Sequence, residues 1–245
     1  AGVYYHVSYY GKPHDYLWLA TSQPALMAAE MRHAWDCGAR KIWILNVGDL
    51  KPAEYHTELF LDMAWNADAV APEKVGEHQR RWLEREFGPD VAPRAAALMR
   101  EHYRLAAERK PEHMGWSRIT PVADTEYGSF SAEAFDRVAA YEGLQHEVRR
   151  LEAILPADRR DAWFELVRYP VEGAALMNKK WLYAQHARRY AAEGLVAAGE
   201  YAAASRQAYD SIRLLTDRYN RASSSPPPCS REFQVFLSSC PLCLS

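Results

Sequence analysis

Two short apolar runs, VYYHVSY over 3–9 and KIWILNV over 41–47, constrain the fold of this chain more than anything that follows them. Each is rich in β-branched and aromatic residues and runs into a polar segment containing glycine and proline, the pattern of a strand giving way to a loop. Between them Ser22 reads as an N-cap and Pro24 falls in a first turn. Met27, Met31, Ala34 and Trp35 then recur at helical spacing before Gly38. Strand, loop, helix, strand, loop, helix describes one and a half β/α units joined by right-handed crossovers. The nearly continuous apolar character of 41–47 predicts a parallel strand covered on both faces. Two strands do not make a stable sheet by themselves, so further strands are expected upstream of Ala1.

From Pro72 the pattern changes. Helices are predicted over 73–87, closed by Gly88, and over 92–109, stopping before Pro111, then over 132–155, 158–168, 171–193 and 199–219. Val138, Tyr141, Leu144, Val148, Leu151 and Leu155 form one apolar stripe; Tyr201, Ala204, Ala208, Ile212, Leu215 and Tyr219 form another. The expected organisation is an α/β part over 1–71, an all-α helical bundle over 72–220, and a tail over 221–245. The SSSPPP segment in that tail cannot continue a helix, and the tail is read as disordered or loosely attached, or as an aberrant sequence.

A formal net charge of -2, from 30 basic and 32 acidic residues, offers no bulk attraction to nucleic acid or to an anionic membrane. No apolar run approaches the length of a membrane span. Cys240 and Cys243 make a lone CxxC with no second pair, which is weak ground for a metal site, and no metal or organic cofactor is expected. HExxH, Walker A, GxSxG and GxGxxG patterns do not occur.

Chemistry is therefore sought where the strands end. Asp15 follows the first strand and Glu54 the second, with Asp49 and Glu58 close by. Carboxylates on separate loops act as general acid and general base when their surroundings push their pKa values apart; left in water they are ordinary loop charges. His6, Tyr9, Tyr10 and His14 crowd the end of the first strand and suggest a ligand-facing rim. Asn46, which interrupts the second apolar run, needs partners from protein or from substrate hydroxyls.

At these segments the chain resembles a known family. YYHVSYYGKPHDYLWL and WILNVGDLKPAEYHTELFLDMAWN, followed by YRLAAERKPEHMGW and WFELVRYPVEGAALMNKKWLYAQHARRYA, are similar to glycoside hydrolase family 115, the xylan α-1,2-glucuronidases, over roughly residues 2–220. The resemblance implies the C-terminal strands of a partial (β/α)8 catalytic barrel followed by a helical domain. It also implies removal of glucuronic or 4-O-methylglucuronic acid from O2 of xylose in glucuronoxylan, with inversion at the anomeric carbon. Carried over, it places the general acid on Glu54 and a second essential carboxylate on Asp15, the order of the two being open because Glu58 lies one turn beyond Glu54 and a base from strands upstream of Ala1 is an alternative. Arg109 and Lys110 become candidates for the substrate carboxylate. His6, Tyr10, His14, Asn46 and Asp49 become candidates for sugar contacts, and Trp18 for an apolar wall.

The full-length enzyme is expected to be secreted or periplasmic, with a homodimer left open, and the chain is expected to be inactive alone. Two other readings stand beside this one: a helical interaction module in which 73–219 does the work, and a barrel hydrolase acting on a different uronic-acid glycan.

Overall fold

The structure, a computed structural model, describes residues 1–9, 11, 17–48, 50–114 and 131–221, the side chains of 131 and 132 excepted. The two apolar runs form strands β1 (Gly2–His6) and β2 (Ile42–Asn46), paired in parallel with Gly2 opposite Ile42 and His6 opposite Asn46. The helix between them, α1 (Pro24–Asp36), ends at Gly38, whose φ of +89° suits glycine. Ser22 is not its cap. The cap position is Gln23, and the Ser22 hydroxyl donates instead to the Val7 carbonyl at 2.7 Å, which binds the helix start to the end of β1.

After β2 comes α2 (Glu54–Trp65), and Trp43 packs on Phe60 of that helix with ring centroids 5.6 Å apart. Helices cover one face of the strand pair. Tyr4, Ile42 and Ile44 on the other face are 55%, 60% and 47% exposed, so the expectation of a second strand buried on both faces does not hold among the described residues. An apolar run sets what a strand could bury; a covering layer must be present for it to do so.

Helices α3 (Val75–Phe87) and α4 (Ala92–Glu108) follow, with Gly88 between them at φ +91°. Then come α5 (Ser131–Ile154), α6 (Arg160–Trp163), α7 (Tyr169–Ala192) and α8 (Ala197–Arg221). The stripe on α5 is buried as its spacing predicts: Tyr141, Val148 and Leu151 are fully enclosed. Helix α7 is buried on nearly every side, and Glu172 and Asn178 on it are matched from neighbours. Arg149 and Arg168 donate to Glu172 at 2.6 and 3.0 Å, and Arg137 donates to Asn178 at 2.7 Å. The tail read over 221–245 lies outside the described residues apart from Arg221.

One predicted break does not occur. Instead of ending at 168 and restarting at 171, the chain passes from α6 through a π-helical turn (Phe164–Arg168) straight into α7, the Tyr169 N–H donating to the Phe164 carbonyl five residues back. Pro170 explains it. Proline has no N–H and its ring collides with the carbonyl four residues earlier, and widening one turn to i→i+5 accommodates both without ending the helix.

The β/α part and the helices share one continuous core. Gly173 of α7 lets that helix come close: a Cβ there would lie 2.9 Å from Leu19 Cδ2. A buried carboxylate secures the same loop, since Glu112 accepts from the Leu19 N–H at 3.2 Å and the Thr21 hydroxyl at 2.8 Å. Glu112→Ala would leave both donors without a protein acceptor and is expected to cost about 2 kcal/mol in urea denaturation at neutral pH.

Candidate active site

Helix α2 begins at Glu54 with Ala53 in the cap position and no side-chain cap, so the Glu54 carboxyl lies at the helix entry just past β2. A helix N-terminus ordinarily favours a carboxylate. Here burial overrides that preference. Desolvation, aided by the negative charge of Glu165, raises Glu54 from the usual carboxylic range to about 7, against an acceptor bond to its own backbone N–H and the positive charge of Lys51. The phenols of Tyr103 on α4 and Tyr219 on α8 feel the Glu54 charge in return, and both are pushed above the usual range, chiefly by burial. The Tyr219 hydroxyl is enclosed without a hydrogen-bond partner. Lys51 forms an ion pair with Glu165 of the π turn.

Glu58, one turn further along α2, is in a different state. Arg85 donates to it through two nitrogens at 2.6 and 2.7 Å and the Trp82 indole donates at 3.1 Å, so its pKa is held below the usual range. Two carboxyls on one helix are thus separated by environment, and Glu54 is the one able to carry a proton near neutrality.

At the ends of the strands, His6 and Asn46 are opposite each other in register. His6 is exposed and makes edge contacts with Tyr4 and Tyr9, at centroid distances of 5.0 and 5.9 Å. Asn46 finds protein partners: its amide donates to the Tyr4 hydroxyl at 2.7 Å and its carbonyl accepts from the Gly48 N–H at 3.2 Å. Trp18 is buried, and its indole donates to the Tyr169 hydroxyl at 2.7 Å. Together with Pro52, Tyr169, Tyr219 and Asn220 it lines a small cleft beside the Glu54 loop. Asp15, Tyr10, His14 and Asp49 lie outside the described residues.

Arg109 and Lys110 follow α4. Arg109 donates to the His113 carbonyl at 3.0 Å, and its own carbonyl accepts from Arg137 at 2.8 Å. Lys110 Nζ donates to the Thr21 hydroxyl at 3.4 Å, and burial lowers its pKa against the pull of Glu112. Both cations are thus engaged with protein groups, and among the described residues the charges acting on Glu54 are those of Glu165 and Lys51. Among the described residues, no group of three or more His, Cys, Asp or Glu is placed to hold a metal ion.

Sequence reasoning missed Glu165, Lys51, Tyr103 and Tyr219, all of which bear on Glu54. Its spacing marks Tyr219 only as the end of an apolar stripe. The one local signal for Glu165 was the proline five residues after it, which marks irregular helical hydrogen bonding but not what the turn faces.

Residues 1–113 match the model of Glycosyl hydrolase family 115. Among solved structures, the chain is similar to a family GH115 4-O-methyl-α-glucuronidase, BtGH115A, described as having specificity for decorated arabinogalactans. The identity is 48% and the TM-score 0.80, with 89% of this chain and 28% of that chain covered. The chain therefore spans less than a third of the length of this relative. No curated protein sequence matches it significantly.

Proposed function

Because the chain belongs to glycoside hydrolase family 115, we propose that it carries part of the active site of an α-glucuronidase that removes glucuronic or 4-O-methylglucuronic acid from a glycan. The observation that carries this reading is Glu54, a buried carboxyl raised to about 7 at the first residue of the helix that follows a parallel strand. A proton on Glu54 passes to the departing sugar oxygen as its bond to the anomeric carbon breaks. Water adds to that carbon from the opposite face and loses its proton to a second carboxylate, assigned to Asp15 from the sequence. Inversion results, and the two carboxyls of such a pair stand about 6.5–9.5 Å apart, leaving room for the water. The short span of the chain relative to its relative supports a site completed by residues outside it. A polymeric substrate fits a secreted or periplasmic protein.

Glucuronoxylan is the substrate expected from the sequence resemblance. A second reading, an arabinogalactan bearing uronic acid, is favoured by the specificity described for the solved relative. The full-length polypeptide that carries this chain is to be incubated with each glycan, and the released acids separated by anion-exchange chromatography. Release from one glycan in preference to the other selects the substrate. Proton NMR of the first product is expected to show the β-anomer. Release of no uronic acid from either glycan overturns the assignment, and glycan binding without release supports an interaction module instead.

A further inference from the structure

We propose that Glu165 is a positioning residue for Glu54: the π turn delivers a second carboxylate from the helical region to the Glu54 loop and engages Lys51 there. Three structural observations carry this. Glu165 is on the single turn between α6 and α7 that departs from α-helical hydrogen bonding, and such turns re-aim side chains and recur at functional sites. Its side chain is only 11% exposed and meets Lys51, three residues before Glu54, in an ion pair that joins the helices to the loop. The same junction is closed by Trp18 donating to Tyr169, by Tyr169 stacked on Tyr219 with centroids 4.1 Å apart, and by the cleft these residues line with Pro52.

The consequence is electrostatic. A cation three residues from a general acid would ordinarily favour its ionised form and strip it of the proton it must donate. Pairing with Glu165 neutralises that cation, and the Glu165 carboxylate adds repulsion that favours the protonated acid. Among the described residues, the groups that act on Glu54 or respond to its charge are Lys51 from its own loop, Glu165 from the π turn, Tyr103 from α4 and Tyr219 from α8. Both tyrosines are neutral at working pH, so among these groups the charges are those of Lys51 and Glu165. Glu58 takes no part, being bound by Arg85 and Trp82.

The inference deepens the reading of Glu54 as general acid, but its test does not need turnover. Glutamate carboxyl carbons of the ¹³C-labelled 245-residue chain are titrated by NMR, the Glu54 signal being identified by its loss in Glu54→Gln. In Glu165→Gln the Glu54 midpoint is expected to fall by about one unit, because the repulsion is lost while the positive charge of Lys51 remains. In Lys51→Met, a change at a 39% exposed side chain that should not compromise folding, the midpoint is expected to rise. Displacements of opposite sign distinguish electrostatic positioning from structural damage. Unmoved midpoints in both variants, or movement in the same direction, overturn the inference whether or not the full-length protein releases sugar. If the midpoints move as expected and no uronic acid is released, the glucuronidase assignment fails alone and the coupling stands.

Discussion

Glu54→Gln in the full-length polypeptide is expected to lower release of uronic acid by about 10²–10⁴-fold, the usual contribution of a positioned general acid. The loss should fall on kcat, since glutamine keeps the shape and hydrogen-bonding reach of the protonated acid but has no proton to give. A substrate with an acidic phenol as leaving group needs little protonation, so the variant should lose far less activity on an aryl α-glucuronide than on the glycan. Equal losses on both would remove Glu54 from the acid role. Stability should move the other way. A carboxyl raised from 4.5 to about 7 lowers folding stability as pH rises through that interval, because the folded state must then hold a desolvated charge that the unfolded chain ionises freely. Glu54→Gln is therefore expected to be more stable than the parent in urea at pH 8 and nearly equal to it at pH 4.5.

Acid should weaken the fold through two buried histidines. His56 and His102 are enclosed, and burial lowers each from 6.5 to about 4. His56 is hydrogen-bonded through Nε2 to the Ser22 carbonyl at 2.7 Å, while neither ring nitrogen of His102 has a hydrogen-bond partner. The sign follows from the depressed folded value. Stability is full above 6.5 and is lost as pH falls from 6.5 towards 4, where the unfolded chain takes up protons that the folded core refuses. A shift of that size corresponds to about 2–3 kcal/mol per histidine by pH 4.5. Glu54 and Glu112, whose pKa values are raised, work in the opposite direction, so the reading is a difference between proteins. His102→Leu, which exchanges an unpartnered imidazole for an apolar side chain, is expected to unfold at higher urea than the parent at pH 4.5, with a much smaller advantage at pH 7.5. An identical advantage at both pH values would show that the His102 charge plays no part.

The two candidate carboxyls differ in how readily the chain discloses them. Glu54 was legible because strand and loop signals are local: a β-branched run, then glycine and proline, then a helix whose first residue is acidic. Its distinction from Glu58 was not legible. Four residues separate them on one helix, and Arg85 and Trp82 from α3 hold one below the usual carboxylate range, while burial raises the other to about 7. Ser22 shows the same limit on a smaller scale: its type fits a cap, but the Val7 carbonyl lay nearer. The stripe along α5 is buried as its spacing predicts, whereas on α8 only Ala208, Ile212 and Leu215 are buried and Tyr201, Ala204 and Tyr219 are half-buried. The continuous helix through Tyr169 was missed because proline ends most helices, and here one widened turn admits it instead.

By itself, the sequence determined the order of two strands and a series of long helices, the faces those helices bury, and the family, since all of these reside in neighbouring residues or in long matching strings. The tertiary structure alone decided which carboxyl keeps its proton and which cation is neutralised. A pKa depends on how much water is excluded and which charges stand within a few ångströms, and here those charges come from residues about 110 positions apart in the chain.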